Sequence, residues 1–153
     1  MDTVEKKIDA LRAIGPFVEL STERLRLVAQ AAEVVCFREG DMIVQQGGPG
    51  DAVYALTHGR VEVWVEEAPH GPVLLRTLRS GQLFGETAVL YRGPRSATIK
   101  AKTDVTTLRI PGPVFLKLLE SSSELAVRIA VILAQRLASD RHTLISDPTT
   151  GAV

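Results

Sequence analysis

The feature that most constrains this chain is a series of short β-rich runs between residues 34 and 110, cut at close intervals by glycine. The runs are Val34–Phe37, Met42–Gln45, Val53–Leu56, Val61–Val65, Val73–Leu78, Ala97–Ala101 and Val105–Ile110. Between them stand Glu39-Gly40-Asp41, Gly47-Gly48-Pro49-Gly50-Asp51, His58-Gly59-Arg60, Pro69-His70-Gly71-Pro72 and Ser80-Gly81. Val61, Val63 and Val65 alternate with Glu62, Trp64 and Glu66, which gives a strand two unlike faces. Many short strands at this spacing predict an antiparallel sandwich or jelly roll.

Helical patterns flank the strands. Val4, Ile8, Leu11 and Ile14 recur at helical spacing until Gly15-Pro16 breaks the pattern. Ser21 is an N-cap for a second helix, with Glu23 in its first turn and Leu25, Val28 and Ala29 on one face. After the strands, Gly112-Pro113 opens a short helix through Glu120, with proline at a first-turn position. Ser121-Ser122-Ser123-Glu124 reads as a capping box ahead of a long helix to about Ile145. Asp147-Pro148 is expected to end it, and Thr149–Val153 to fray. The expected fold class is therefore α+β. An antiparallel β-roll (33–111) lies between N-terminal helices (1–32) and a C-terminal helix pair (112–146), in one domain over residues 1–153.

Composition excludes some functions. Lys+Arg and Asp+Glu are equal at 18 each, so the chain lacks the basic excess of a general nucleic-acid binder. Cys36 is the only cysteine, so no intrachain disulfide forms, which suits a reducing compartment. The start, Met1-Asp2-Thr3-Val4-Glu5, lacks the basic-then-apolar order of a signal peptide. The longest apolar run, Ile129–Ala134, falls far short of the roughly 20 residues that span a bilayer. A cytoplasmic protein with no membrane insertion is expected.

One stretch departs from the β pattern: Phe84-Gly85-Glu86-Thr87-Ala88-Val89-Leu90-Tyr91-Arg92-Gly93-Pro94-Arg95-Ser96-Ala97-Thr98. Gly85 permits a tight turn or close backbone approach, and Glu86 to Leu90 can form one short helical turn. The first turn of a helix offers N–H groups without internal partners and a partial positive charge, which favours an anion. Arg95 supplies forked donors for a phosphate. Glu86 supplies a carboxylate for a sugar hydroxyl. An anion beside a hydroxyl-bearing ring describes a nucleotide.

The stretch resembles the phosphate-binding cassette (84–98) of the cyclic-nucleotide-binding domain family, which includes protein kinase A regulatory subunits, catabolite activator protein and cyclic-nucleotide-gated channels. Arg38-Glu39-Gly40-Asp41, Gly50-Asp51-Ala52-Val53-Tyr54 and Gly59-Arg60-Val61-Glu62-Val63 match the family's earlier turns and strands in order and spacing. The resemblance implies that Glu86 accepts from the ribose 2′-OH, with backbone contacts from Gly85. It implies that Arg95 pairs with the cyclic phosphate, helped by the N–H groups of Ala88 and Ser96 and by the Ser96 hydroxyl. Phe84, Thr87 and Ala97 complete the ligand-binding stretch, although Phe84 and Leu90 also read as core. Apolar side chains of the roll enclose the base. The C-terminal helix is a lid whose capping residue falls within Leu137 to Arg141. Threonine after the arginine often accompanies cGMP preference in this family. Ser96 has the hydroxyl without the methyl, and serine also stands there in a cAMP-responsive activator of the family, so the resemblance implies cAMP over cGMP.

The implied function is a non-catalytic regulatory sensor with a cyclic nucleotide as ligand and no cofactor or metal. The chain stops soon after the lid helix, so a DNA-reading helix-turn-helix module is not expected, nor are kinase, cyclase or channel segments. The helix from Glu124 to Ile145 is apolar almost all round between Ile129 and Ala134 and must be covered. Either the roll covers it or a partner does, an effector protein or a homodimer mate. An interaction module with a non-binding pocket is the alternative, which the intact Glu86, Arg95 and glycine pattern disfavours.

The other reactive residues read as structural. Cys36, in a Val-Val-Cys-Phe run, is expected to be an inert buried thiol. Tyr54 and Trp64 read as half-buried sheet residues. His58, His70 and His142 are scattered and match no metal site, which counts against a cupin-type metalloenzyme. Arg24, Arg26, Arg128, Arg136 and Arg141 read as solvated helix faces, except that one lid arginine could stack on a base.

Overall fold

A computed structural model describes residues 3–67 and 69–146, with side chains up to 141. In chain order the elements are α1 (Val4–Arg12), a 3-10 turn (Gly15–Phe17), α2 (Thr22–Ala31), β1 (Glu33–Phe37), β2 (Met42–Val44), β3 (Ala52–His58), β4 (Arg60–Glu67), β5 (Gly71–Arg79), β6 (Leu83–Phe84), α3 (Glu86–Tyr91), β7 (Thr98–Ala101), β8 (Val105–Pro111), α4 (Gly112–Ser121) and α5 (Ser123–Ser146). The expected end of the last helix at Asp147-Pro148, and the tail after it, lie outside the described residues, as does the side chain of His142.

Two four-stranded antiparallel sheets form, in the orders β1-β8-β3-β6 and β2-β7-β4-β5. Only the β4–β5 hairpin stays within one sheet. Every other step between consecutive strands crosses to the opposite sheet, which winds the chain into the expected jelly roll.

Strand β3 shows why the roll and the helices are one body. Val53 and Ala55 pack outward with Leu11, Phe17, Leu25 and Phe115 from the helical layer. Ala52, Tyr54 and Leu56 point inward, among Val61, Val63, Leu78, Phe84 and Ile99. A strand covered on both faces reads as a continuous apolar run rather than an alternating one. Tyr54 is buried rather than half-buried, and its ring stacks on Phe84 with centroids 5.0 Å apart. Trp64 is half-buried, with the Lys100 ammonium 5.9 Å from its ring centroid.

Three local expectations change. Cys36 is exposed, not buried. It lies on edge strand β1, on the same face as Val34, and the helical layer packs on Val34 without reaching Cys36. The cap of α5 is Ser122, one residue later than the capping box placed it. Ser122 is extended (φ −141°) and its Oγ accepts from Leu125 N at 3.3 Å, while Ser121 ends α4 and donates to Leu118 O. Gly15-Pro16 opens a 3-10 turn after α1 has already ended at Arg12, and Ile14 is buried in the connection. Ser21 caps α2 as expected, accepting from Arg24 N at 3.2 Å.

Candidate functional site

The site is built around the turn at Gly85. Its backbone adopts φ +85°, the left-handed region where a Cβ is strained. That turn ends β6 and starts α3, setting the α3 N-terminus at the mouth of the roll. Ala88 stands third in α3, where helical geometry supplies its N–H no internal acceptor. At the other end Arg92 takes the left-handed conformation (φ 57°) and Gly93 N bonds back to Ala88 O, which returns the chain towards β7.

Arg95 closes the loop and is 4% exposed. Its Nη1 donates to Gly85 O at 2.7 Å, Nη2 to Ala52 O at 2.8 Å and to Asp51 Oδ1 at 3.4 Å, and Nε to Pro49 O at 3.1 Å. A guanidinium has five N–H groups. These bonds leave one, on Nη1, without a partner among the described residues. The fork is thus held by the protein's own carbonyls, and the buried positive charge stays fixed in place.

Glu86, the first residue of α3, is buried. Burial pushes its carboxyl above the ordinary 4.5, against the pull of the Arg136, Arg76 and Arg95 cations. Arg136 of α5 donates from Nη1 to Glu86 Oε1 and from Nη2 to Leu83 O at 3.0 Å. One helical turn on, Asp140 pairs with Arg76 of β5. Burial lowers Arg76 to a pKa of about 10, further lowered by Arg136 and raised back by Glu86.

These groups border one cavity of about 490 Å³. Its wall includes every sequence-predicted site residue: Phe84, Gly85, Glu86, Thr87, Ala88, Arg95, Ser96 and Ala97. The rest is sheet, apolar (Val44, Val63, Val65, Leu75, Leu78, Ile99) except for Glu67 and Arg76, and one face of α5 (Leu133, Arg136, Leu137, Asp140). Leu137 and Asp140 fall in the stretch expected to hold the lid residue, whereas Arg141 is exposed.

Sequence reasoning missed Arg76 and Arg136. Arg136 is not a solvated helix residue: its side chain is 17% exposed and turned onto Glu86. A signal existed, because Leu133, Arg136, Leu137 and Asp140 share one helix face. Arg76 carried none. The pairing of β4 with β5 steps from Val63↔Arg76 to Trp64↔Leu74, so Leu75 is an extra residue. This bulge breaks the alternation and lets Leu75 and Arg76 both border the cavity. The other helix arginines are tied down outside it: Arg24 to Ser121 O, Arg26 to Glu5 and Arg128 to Glu19.

Among the described residues, no three His, Cys, Asp or Glu side chains gather as a metal site. No helix among them is long and apolar enough to cross a membrane.

Comparison with known proteins bears on the family and the fold. A model of the family described as "Cyclic nucleotide-binding domain" matches residues 34–122. The cAMP-dependent protein kinase regulatory subunit of Dictyostelium discoideum is 31% identical over 119 residues, which are 78% of this chain and 36% of that protein. The chain therefore spans about a third of that relative. The catabolite activator protein of Thermus thermophilus superposes with a TM-score of 0.72 at 29% identity, over 84% of this chain and 61% of that one. The regulatory subunit of a cAMP-independent protein kinase A from Trypanosoma brucei superposes with a TM-score of 0.76 at 24% identity, over 83% of this chain and 47% of that one. At that identity the likeness concerns the fold alone.

Proposed function

The chain belongs to the cyclic nucleotide-binding domain family, and from that premise we propose that it binds a cyclic nucleotide, cAMP ahead of cGMP, as a non-catalytic sensor. The carrying observation is that Glu86 and Arg95 border the same cavity as one face of α5. A volume of about 490 Å³ lies in the range of small-molecule sites. The fixed Arg95 charge and the Ala88 and Ser96 amides take the cyclic phosphate. Glu86 takes the ribose 2′-OH, and the apolar sheet residues enclose the base. The cAMP-dependent relative supports cAMP.

Switching follows from the two-sided wall. A nucleotide touching both the cassette and α5 binds the closed arrangement better and shifts the population towards it. The coupled free energy reaches the outer face of α5, where Val127 and Val131 are 62% and 50% exposed. An effector or a second copy of the chain would cover that strip.

A second reading has one observation in its favour. Glu86 is already engaged by Arg136, as it would be in an interaction module whose pocket takes no ligand. A thermal-shift comparison with cAMP, cGMP and 5′-AMP decides between the two. A ligand at a hundred times its dissociation constant adds about 2.7 kcal/mol of stability. The sensor reading expects cAMP to raise the melting temperature most and 5′-AMP not at all. No shift with either cyclic nucleotide would leave the interaction module.

A further inference from the structure

Arg95 is one end of a longer run of charges. Its Nη2 lies 3.4 Å from Oδ1 of Asp51, and Oδ2 of the same carboxylate accepts from Nη2 of Arg109 at 3.0 Å. Arg109 stands on β8, directly opposite Tyr54 of β3 and Glu33 of β1, so its side chain rises from the sheet face that Tyr54 shares. Its Nη1 comes within 3.6 Å of Glu33 Oε1. Glu33, Arg109, Asp51 and Arg95 thus alternate in sign from edge strand β1 to the wall of the cavity.

An anion arriving at Arg95 meets Asp51 as a second anion on the same cation. Left without a cation of its own, Asp51 would cancel much of the Arg95 charge and repel a phosphate. The contact distances show where the carboxylate is held: nearer to Arg109, at 3.0 Å, than to Arg95, at 3.4 Å. Arg95, Asp51 and Arg109 together carry one net positive charge, whereas Arg95 and Asp51 alone carry none. Glu33 offsets this little, because it is 65% exposed against 27% for Arg109 and water screens the pair.

We infer that Arg109 is a positioning residue for the phosphate subsite: it draws the Asp51 carboxylate onto itself and so leaves the Arg95 charge free to act on an anion in the cavity. This rests on the proposed nucleotide function and extends it to a residue outside the cassette. Arg109 is not part of the cavity wall and acts only through Asp51.

The test is a mutant cycle between residues 51 and 109, read at two salt concentrations. Calorimetry measures cAMP binding by the wild type, Arg109→Met, Arg109→Lys, Asp51→Asn and the double variant Asp51→Asn with Arg109→Met. Circular dichroism checks that each is folded. At low salt Arg109→Met should bind cAMP about three- to tenfold more weakly than the wild type. The difference should shrink when salt is raised to about 0.5 M. Arg109→Lys keeps the charge and should stay within about twofold of the wild type. In the Asp51→Asn background, Arg109→Met should cost less than about twofold, because no carboxylate is left to neutralise. Should the methionine variant fail to fold, Arg109→Gln, which keeps a donor for Asp51 without the charge, takes its place with the same expectations. A loss that persists undiminished in the Asp51→Asn background or at high salt would overturn the inference and leave Arg109 as a structural contact. Unchanged cAMP affinity in Arg109→Met would overturn it as well. A wild type that binds no cyclic nucleotide would instead overturn the proposed function, and this inference with it.

Discussion

Arg95 donates from Nη1 to the carbonyl oxygen of Gly85 at 2.7 Å, so the cation at the end of the cassette is braced by the turn at its start. The nine residues between them form a closed loop around the α3 N-terminus. Two further carbonyls, of Ala52 and Pro49, hold the same guanidinium. The loop is therefore a prebuilt cradle rather than one that must be ordered by a ligand.

Arg95→Leu should act on binding and on stability. Loss of the buried cation should weaken cyclic-nucleotide binding by about 2–5 kcal/mol. Orphaned carbonyls of Gly85, Ala52 and Pro49 should lower stability by about 1–3 kcal/mol. Calorimetry with cAMP and urea denaturation measure the two effects. Wild-type affinity in a folded variant would remove Arg95 from the site.

Gly85→Ala should disturb the cradle where Gly40→Ala does not. Both positions have positive φ, at +85° and +89°, and each should cost about 1–2 kcal/mol in backbone strain. A Cβ at Gly85 would also stand 2.6 Å from Arg95 Nη1, whereas one at Gly40 would meet nothing within 4 Å. Both variants should melt lower, by about 2–4 °C for each kcal/mol. Only Gly85→Ala should also lose affinity for cAMP. Equal affinities in the two variants would show that the brace does not matter to binding.

Glu86 should leave a signature in the pH dependence of stability. Burial raises its carboxyl in the folded state above 4.5, so the folded protein holds this proton more tightly than the unfolded chain. Its contribution is fully present below the unfolded value and is lost as pH rises through the folded one. Glu86→Gln carries no such titration. The stability of the wild type relative to Glu86→Gln, from ligand-free urea denaturation, should therefore fall as pH rises above about 4.5. Parallel curves for the two proteins would contradict this.

Ser122→Ala should destabilise by about 1 kcal/mol through loss of the α5 cap, and Ser121→Ala by much less. Ser122 Oγ satisfies Leu125 N, a buried donor at the start of the lid helix. Thermal denaturation of the two variants side by side is sufficient. The reverse order would return the cap to Ser121.

How much of this was legible in the sequence depended on whether the signal was local. Short runs such as Val61–Val65 and Val105–Ile110 carried their own β pattern and turn residues, so the roll could be read from them. The cassette was equally legible, because Gly85, Glu86 and Arg95 lie within one short stretch and each residue type suits its place. Ser21 was found as a cap because a cap depends on its immediate neighbours.

Tertiary structure decided what depends on residues distant in the chain. Whether Cys36 is covered depends on how far the helical layer extends over edge strand β1. Arg76 reaches the cavity only because a bulge on β5 breaks the alternation set by its partner strand. Arg136 meets Glu86 across 50 positions, a contact that α5 packing creates and no local pattern encodes. Hydrophobic periodicity and turn chemistry act over a few residues and survive in the linear sequence. Charge pairing across a cavity is set by where whole elements come to rest against one another.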